Sequence, residues 1–130
     1  MCGVVGVVSR LPIERELLIK MRDAMLHRGP DDAGIWFSSD FRVGLAHRRL
    51  SILDLTPTGH QPMEDVSRRY VVVFNGEIYN YQELREHLVA AGHVFCSSSD
   101  TEVILESYKM WGRKCLDYFE GAFAFAIYDK

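Results

Sequence analysis

Cys2 has the clearest chemical capacity in this sequence because of where it stands. A methionine aminopeptidase removes an initiating methionine when the next side chain is small, and cysteine qualifies. Processing would leave a thiol and a free α-amine on one residue. With reference pKa values of ~7.7–8.0 for the amine and ~8.5 for the thiol, a sizeable minority of amine is unprotonated near neutrality, while little of the thiol is thiolate. The amine can then act as general base for its own side chain, directly or through a water, without a histidine. While Met1 stays attached, the Cys2 nitrogen is an amide and cannot be a base, so a chain retaining Met1 is expected to be an unprocessed form. A second-position cysteine can equally be incidental, since activated cysteines are uncommon.

Attack of a thiol on a carbonyl also needs donors for the anion that develops on oxygen. Asn75-Gly76 offers a side-chain amide and a backbone N–H at the end of the apolar run Tyr70–Phe74, although Asn-Gly alone is first a tight turn with positive φ. Three charged residues have equally plain readings. Asp100, one residue after a capping serine, is a helix-dipole partner, Arg49 a surface charge, and Glu77 a solvated acid near the next helix.

The chain has 130 residues, 48% apolar and 25% charged, with a formal net charge of −3. That describes one soluble domain with enough core to fold alone and excludes a large multidomain enzyme. The longest uncharged apolar stretches, Met1–Val8 and Gly121–Tyr128, fall far short of the ~20 residues of a membrane helix. No basic patch precedes an apolar leader, so no secretory signal is read and a cytoplasmic location is expected. The acidic balance, with isolated basic pairs Arg48-Arg49 and Arg68-Arg69, argues against a nucleic-acid surface. Cys2, Cys96 and Cys115 form no zinc-spaced cluster, so no metal is expected, and the latter two read as small buried hydrophobes.

The elements that must position these residues follow from pattern. Cys2–Val8 reads as a strand buried on both faces, and a helix with Pro12 in its first turn carries Ile13, Leu17, Leu18, Met21, Ala24 and Met25 at helical spacing. After a turn-rich loop over 27–34, Ile35–Phe37 and Val43–Ala46 form a hairpin, and Tyr70–Phe74 is the strongest strand. Asn80 with Glu83 opens a helix closed by Gly92. Ser99 with Glu102 opens another as a capping box, closed by Gly112. Ala122–Tyr128 is a final strand alternating small and large side chains.

Taken together, the motifs resemble a known family. Met-Cys-Gly at 1–3, His-Arg-Gly-Pro-Asp-Asp-x-Gly at 27–34, Leu-Ala-His-Arg-Arg-Leu-Ser-Ile at 45–52, Gly-His-Gln-Pro-Met at 59–63, Phe-Asn-Gly-Glu-Ile-Tyr-Asn at 74–80, Ser-Asp-Thr-Glu-Val-Ile at 99–104 and the 119–129 segment run end to end. This set resembles the N-terminal glutaminase domain of class II glutamine amidotransferases, the N-terminal-nucleophile (Ntn) hydrolases. Gly-Glu-Ile-Tyr-Asn and Gly-His-Gln-Pro-Met make it most similar to glutamine-hydrolysing asparagine synthetases.

The resemblance implies an α+β fold, a four-layer α/β/β/α sandwich of antiparallel sheets, with residues 1–130 a C-terminally truncated part of it. It implies that Cys2 attacks glutamine, that Asn75 and Gly76 hold the oxyanion, and that Arg49 grips the substrate carboxylate. Glu77 and Asp100 would hold its ammonium, and Leu50, Ile52 and Leu53 would line the pocket. Arg28 and His47 are expected to support loops rather than touch substrate. No cofactor is expected in this part. ATP and Mg²⁺ belong to an ATP-dependent synthetase domain, the implied partner, which is absent from these residues. The incomplete sheet is expected to leave an open edge or apolar face, disordered or paired with another chain as in a homo-oligomer. Two alternatives remain: a glutaminase feeding another acceptor, and a silent assembly module. Loss of Cys2, Arg49 or Asp100 would mark the module, and all three are present.

Overall fold

A run of valines with no polar alternation needs apolar neighbours on both sides, and Tyr70–Phe74 finds them. In a computed structural model of the chain, which describes residues 1–51 and 56–130, this run belongs to β5 (Tyr70–Ile78). Val71 and Val73 face one way, toward Leu45, Val4 and Trp36. Val72, Phe74 and Ile78 face the other, toward Leu84, Leu88, Val103, Ile104 and Leu105.

Two three-stranded antiparallel sheets result. The first places β3 (Val43–Arg49) between β1 (Gly3–Val8) and β2 (Asp32–Phe37), with Val4 and Gly34 both opposite His47. The second places β5 between β4 (Met63–Glu64) and β6 (Gly121–Asp129). Helix α1 (Arg15–Asp23) covers the first sheet through Leu18, which packs with Ile13 and Ala46. Helices α2 (Tyr81–Ala90) and α3 (Asp100–Trp111) cover the second. The order helix, sheet, sheet, helices is the expected α/β/β/α layering.

Several local expectations are corrected. Asn75-Gly76 is not a turn: β5 runs through it, with Asn75 opposite Ala124 and Gly76 opposite Phe123. Gly76 does take a positive φ of 140°, and a Cβ there would overlap the Ala122 carbonyl oxygen, so glycine is needed for the close approach of β6 rather than for a reversal. β1 is an edge strand and not buried on both faces, with Val8 left exposed. Helix α1 begins only at Arg15, because the Ile13 N–H is committed to the Phe41 carbonyl at 2.7 Å, and its Leu17 and Met21 are exposed.

The caps also differ in detail. Ser99 Oγ accepts the Thr101 N–H at 3.0 Å as expected. Glu102 bypasses Ser99 and instead accepts the N–H groups of Cys96 and Ser97 at 2.8 and 2.7 Å, tying down the loop before the helix. Asn80 stands at the cap position of α2, but its side chain bridges to Tyr118 and Glu120. Cys115 is buried, whereas Cys96 is exposed. At the sheet edge, Ala122, Ala124 and Ala126 of β6 are exposed while Phe123, Phe125 and Ile127 pack toward the helices.

His47 joins the sheets. It is 1% exposed, and its Nε2 lies 3.1 Å from the Phe74 carbonyl. A carbonyl only accepts, so Nε2 carries the proton. Burial pushes the His47 pKa down to about 4, against the opposing pull of that hydrogen bond. A histidine with a depressed folded pKa contributes stability that is present above its unfolded value of ~6.5 and lost as pH falls through the folded value. Urea unfolding is therefore expected to show stability dropping between pH 6.5 and about 4, by on the order of 3 kcal/mol. The difference between native protein and His47→Gln should shrink across the same window, and a pH-independent difference would contradict the assignment.

Candidate active site

Between the open side of β5 and the start of β1 lies a cavity of about 270 Å³. Its wall includes Cys2, Arg49, Leu50, Asn75, Gly76, Glu77 and Asp100. The structure thus brings together all the expected site residues that it describes, from four separate segments of chain. Ile52 and Leu53 lie outside the described residues. Arg28 and His47 are not part of the lining.

Cys2 is fixed from two directions although it is next to the terminus. Its neighbour Gly3 is registered opposite Arg48 of β3. The Leu50 N–H points at its Sγ from 3.3 Å, and the Arg28 Nε–H donates to its carbonyl at 3.0 Å. The Sγ in turn lies 3.7 Å from the Leu50 carbonyl, to which the thiol donates. Met1 itself is 72% exposed, so the residue to be removed is open to a processing enzyme.

Arg49 ends β3 and is 8% exposed, with one guanidinium N–H committed to the Thr56 carbonyl at 3.0 Å. Across the cavity Asp100 opens α3, 6% exposed, and accepts the Ile78 N–H at 3.2 Å. Burial raises the Asp100 pKa; backbone N–H donors oppose the shift and the nearby Glu77 charge reinforces it. One cation and two anions therefore face each other across a space that suits a zwitterion.

Strand geometry decides where the backbone groups around Asn75 and Gly76 point. In an antiparallel ladder successive residues alternate the side to which their N–H and C=O point. Tyr79 donates to Glu120 across the β6 side, so Ile78, Gly76 and Phe74 direct their N–H groups to the opposite side, where β4 has already ended. Ile78 N–H goes to Asp100 and Phe74 N–H to Gln61 Oε1 at 2.7 Å. Gly76 N–H, between them, is directed at the cavity wall. Beside it the Asn75 Oδ1, an acceptor, is buried with no hydrogen-bond partner among the described residues.

Sequence reasoning passed over Gln61, Tyr79, Ser99 and Thr101, which also line the cavity. Gln61 is 5% exposed and spends its amide on Phe74 N–H and Thr101 Oγ1. Its only signal in the sequence is its place within Gly-His-Gln-Pro-Met, since nothing local explains a glutamine there.

Known proteins resemble this chain throughout. Asparagine synthetase [glutamine-hydrolyzing] 3 and 1 of Bacillus subtilis are 40% and 43% identical over 135 residues, covering 100% of this chain but 22% and 21% of theirs. Amidase chry2 of Gibberella zeae is 37% identical over 142 residues, covering 100% of this chain and 21% of its own. The chain thus spans about a fifth of the length of these relatives. A solved structure of glutamine phosphoribosylpyrophosphate (PRPP) amidotransferase from B. subtilis, complexed with ADP and GMP, shares the fold with a TM-score of 0.78 at 21% identity. That match covers 98% of this chain and 35% of the other. The family model described as glutamine amidotransferase domain matches residues 1–130, and the chain belongs to that family.

Proposed function

We propose that this chain hydrolyses the side-chain amide of glutamine to glutamate and ammonia through a thioester on Cys2. The observation that carries the reading is the convergence of Cys2, Asn75, Gly76, Arg49, Glu77 and Asp100 on one cavity. In the reaction, Cys2 Sγ forms a bond to the amide carbon as its proton passes to the residue's own α-amine. Charge develops on the amide oxygen, where the Asn75 side-chain amide and the Gly76 N–H stabilise it. The α-amine returns the proton to nitrogen, the C–N bond breaks, and ammonia leaves. Water then cleaves the thioester, restoring the thiol and releasing glutamate.

Arg49 pairs with the substrate α-carboxylate, a bidentate task suited to a planar guanidinium. Asp100 and Glu77 take the α-ammonium, so a simple amide lacking both charges is discriminated against. Leu50 lines the pocket. None of these steps draws on a cofactor.

In a longer protein, the ammonia would amidate aspartate in a partner domain that uses ATP and Mg²⁺. The names of the bacillar relatives support that acceptor. The name of the fungal relative favours keeping a second reading, the same glutaminase step feeding a different acceptor.

Cys2→Ala is expected to bring ammonia release to background while changing unfolding free energy by less than about 1 kcal/mol. Intact mass should pair activity with loss of one methionine residue. A processed Cys2→Ala protein that still releases ammonia would remove Cys2 from the reaction.

Asp100 yields a second prediction with two arms. A carboxyl with a raised folded pKa contributes stability below its unfolded value and loses it as pH rises through the folded value, so ionised Asp100 costs stability at pH 7. Asp100→Asn should therefore unfold at the same temperature or higher at pH 7, while KM for glutamine rises about tenfold or more. A lower melting temperature with native KM would refute both arms.

A further inference from the structure

Phe74 lies two residues before Gly76 on the open side of β5, and its backbone is satisfied there without a strand. Two buried side chains do the work of one. His47 from the other sheet donates to the carbonyl, and Gln61 from the segment before β4 accepts the N–H. Gln61 then turns its amide nitrogen outward to Thr101 Oγ1, 3.2 Å away, on the first turn of α3. Thr101 is 2% exposed and adjoins Asp100, which holds the Ile78 N–H. The two N–H groups flanking Gly76 are thus each bound by a buried side chain, and Gln61 links both supports into one piece.

The position of Gln61 is itself constrained. Gly34, opposite His47 on the first sheet, lies so close that a Cβ there would overlap the Gln61 carbonyl oxygen. The backbone of Gln61 is wedged against β2 while its side chain reaches β5 and α3.

We propose that Gln61 is a positioning residue that fixes the oxyanion donors at Asn75–Gly76 relative to the ammonium-binding Asp100. It acts through Phe74 and Thr101 and transfers no proton. The inference rests on the glutaminase reading above and adds to it a coupling between the two halves of the substrate site. An oxyanion donor contributes only when it stands at hydrogen-bond distance from the developing charge, and small displacements there are expensive in rate. Removing Gln61's amide frees the Phe74 peptide to tilt and Thr101 to drift, so both halves should suffer. Removing only the Thr101 hydroxyl leaves the Phe74 bond in place and should affect only the binding half.

Steady-state glutamine hydrolysis by the full protein, processed at Met1, tests this. Rates are to be normalised to Cys2 that reacts with a glutamine-shaped electrophile, so that misfolded protein is not counted. Gln61→Met is expected to lower kcat about tenfold or more and to raise KM about threefold or more. Thr101→Val should raise KM by about threefold or more with kcat held within about twofold. Native kcat and KM per reactive Cys2 in Gln61→Met, with only a lower melting temperature, would overturn the proposal and leave Gln61 a packing residue. If Gln61→Met does not fold, Thr101→Val decides: a KM at the native value, or a kcat loss exceeding the KM change, overturns it. A native protein that releases no ammonia and leaves Cys2 unlabelled would instead defeat the glutaminase reading itself.

Discussion

The structure turns on a backbone accounting problem in β5. A central strand buried between a sheet and a helical layer must pair every N–H and C=O, since each orphan costs about 1–3 kcal/mol. β6 satisfies one side along the full length, but β4 is two residues long and satisfies only the far end of the other. Three of the remaining groups, the Phe74 C=O and N–H and the Ile78 N–H, are paired by side chains brought from three directions: His47 from the neighbouring sheet, Gln61 from a loop, and Asp100 from a helix start. These ties fasten the layers together, and they leave Gly76 facing the space between them. The cavity is a consequence of how the strand is completed.

That solution places polar groups where solvation is poor, and each responds in its own way. His47 remains neutral because burial holds its pKa near 4, which keeps it a donor with a fixed tautomer. Asp100 cannot escape so simply if it is to meet a substrate ammonium as an anion, because burial works against that charge. A substrate ammonium would supply the missing countercharge, so the tension at Asp100 is relieved by binding rather than by folding. Sites that hold an ionised group against desolvation in this way give up stability for affinity.

The fold was largely legible in the sequence because its strands and helices are locally consistent. Valine runs, Ser99 and the closing glycines each fix an element from its own neighbourhood. Asn75-Gly76 was misread for the same reason. Local rules favour a turn there, but β6 pairs with β5 through both residues and decides the matter from about fifty residues away. Cys96 was misread as buried because apolar character carries no information about which side of a loop faces water. Cys2 is legible from its place in the chain, whereas Arg49 and Asp100, plain on their own as a surface charge and a helix-dipole partner, are legible only through the motif set that resembles a known family. Gln61 was not, because its partners Phe74 and Thr101 are distant in sequence and a lone glutamine has no pattern.

The same contrast bears on the terminus. Chain ends fray unless they are tied, and a nucleophile at residue 2 can work only if the tie is strong. Here Arg28 holds the cysteine's carbonyl, Leu50 exchanges hydrogen bonds with its sulfur, and β3 registers the next residue. None of these contacts uses the Cys2 nitrogen, so exchanging an amide for a free amine would leave the anchoring intact. The position of the thiol can therefore be set by the folded chain before the base that activates it exists, and removal of one exposed residue would change the chemistry of the site without rebuilding it.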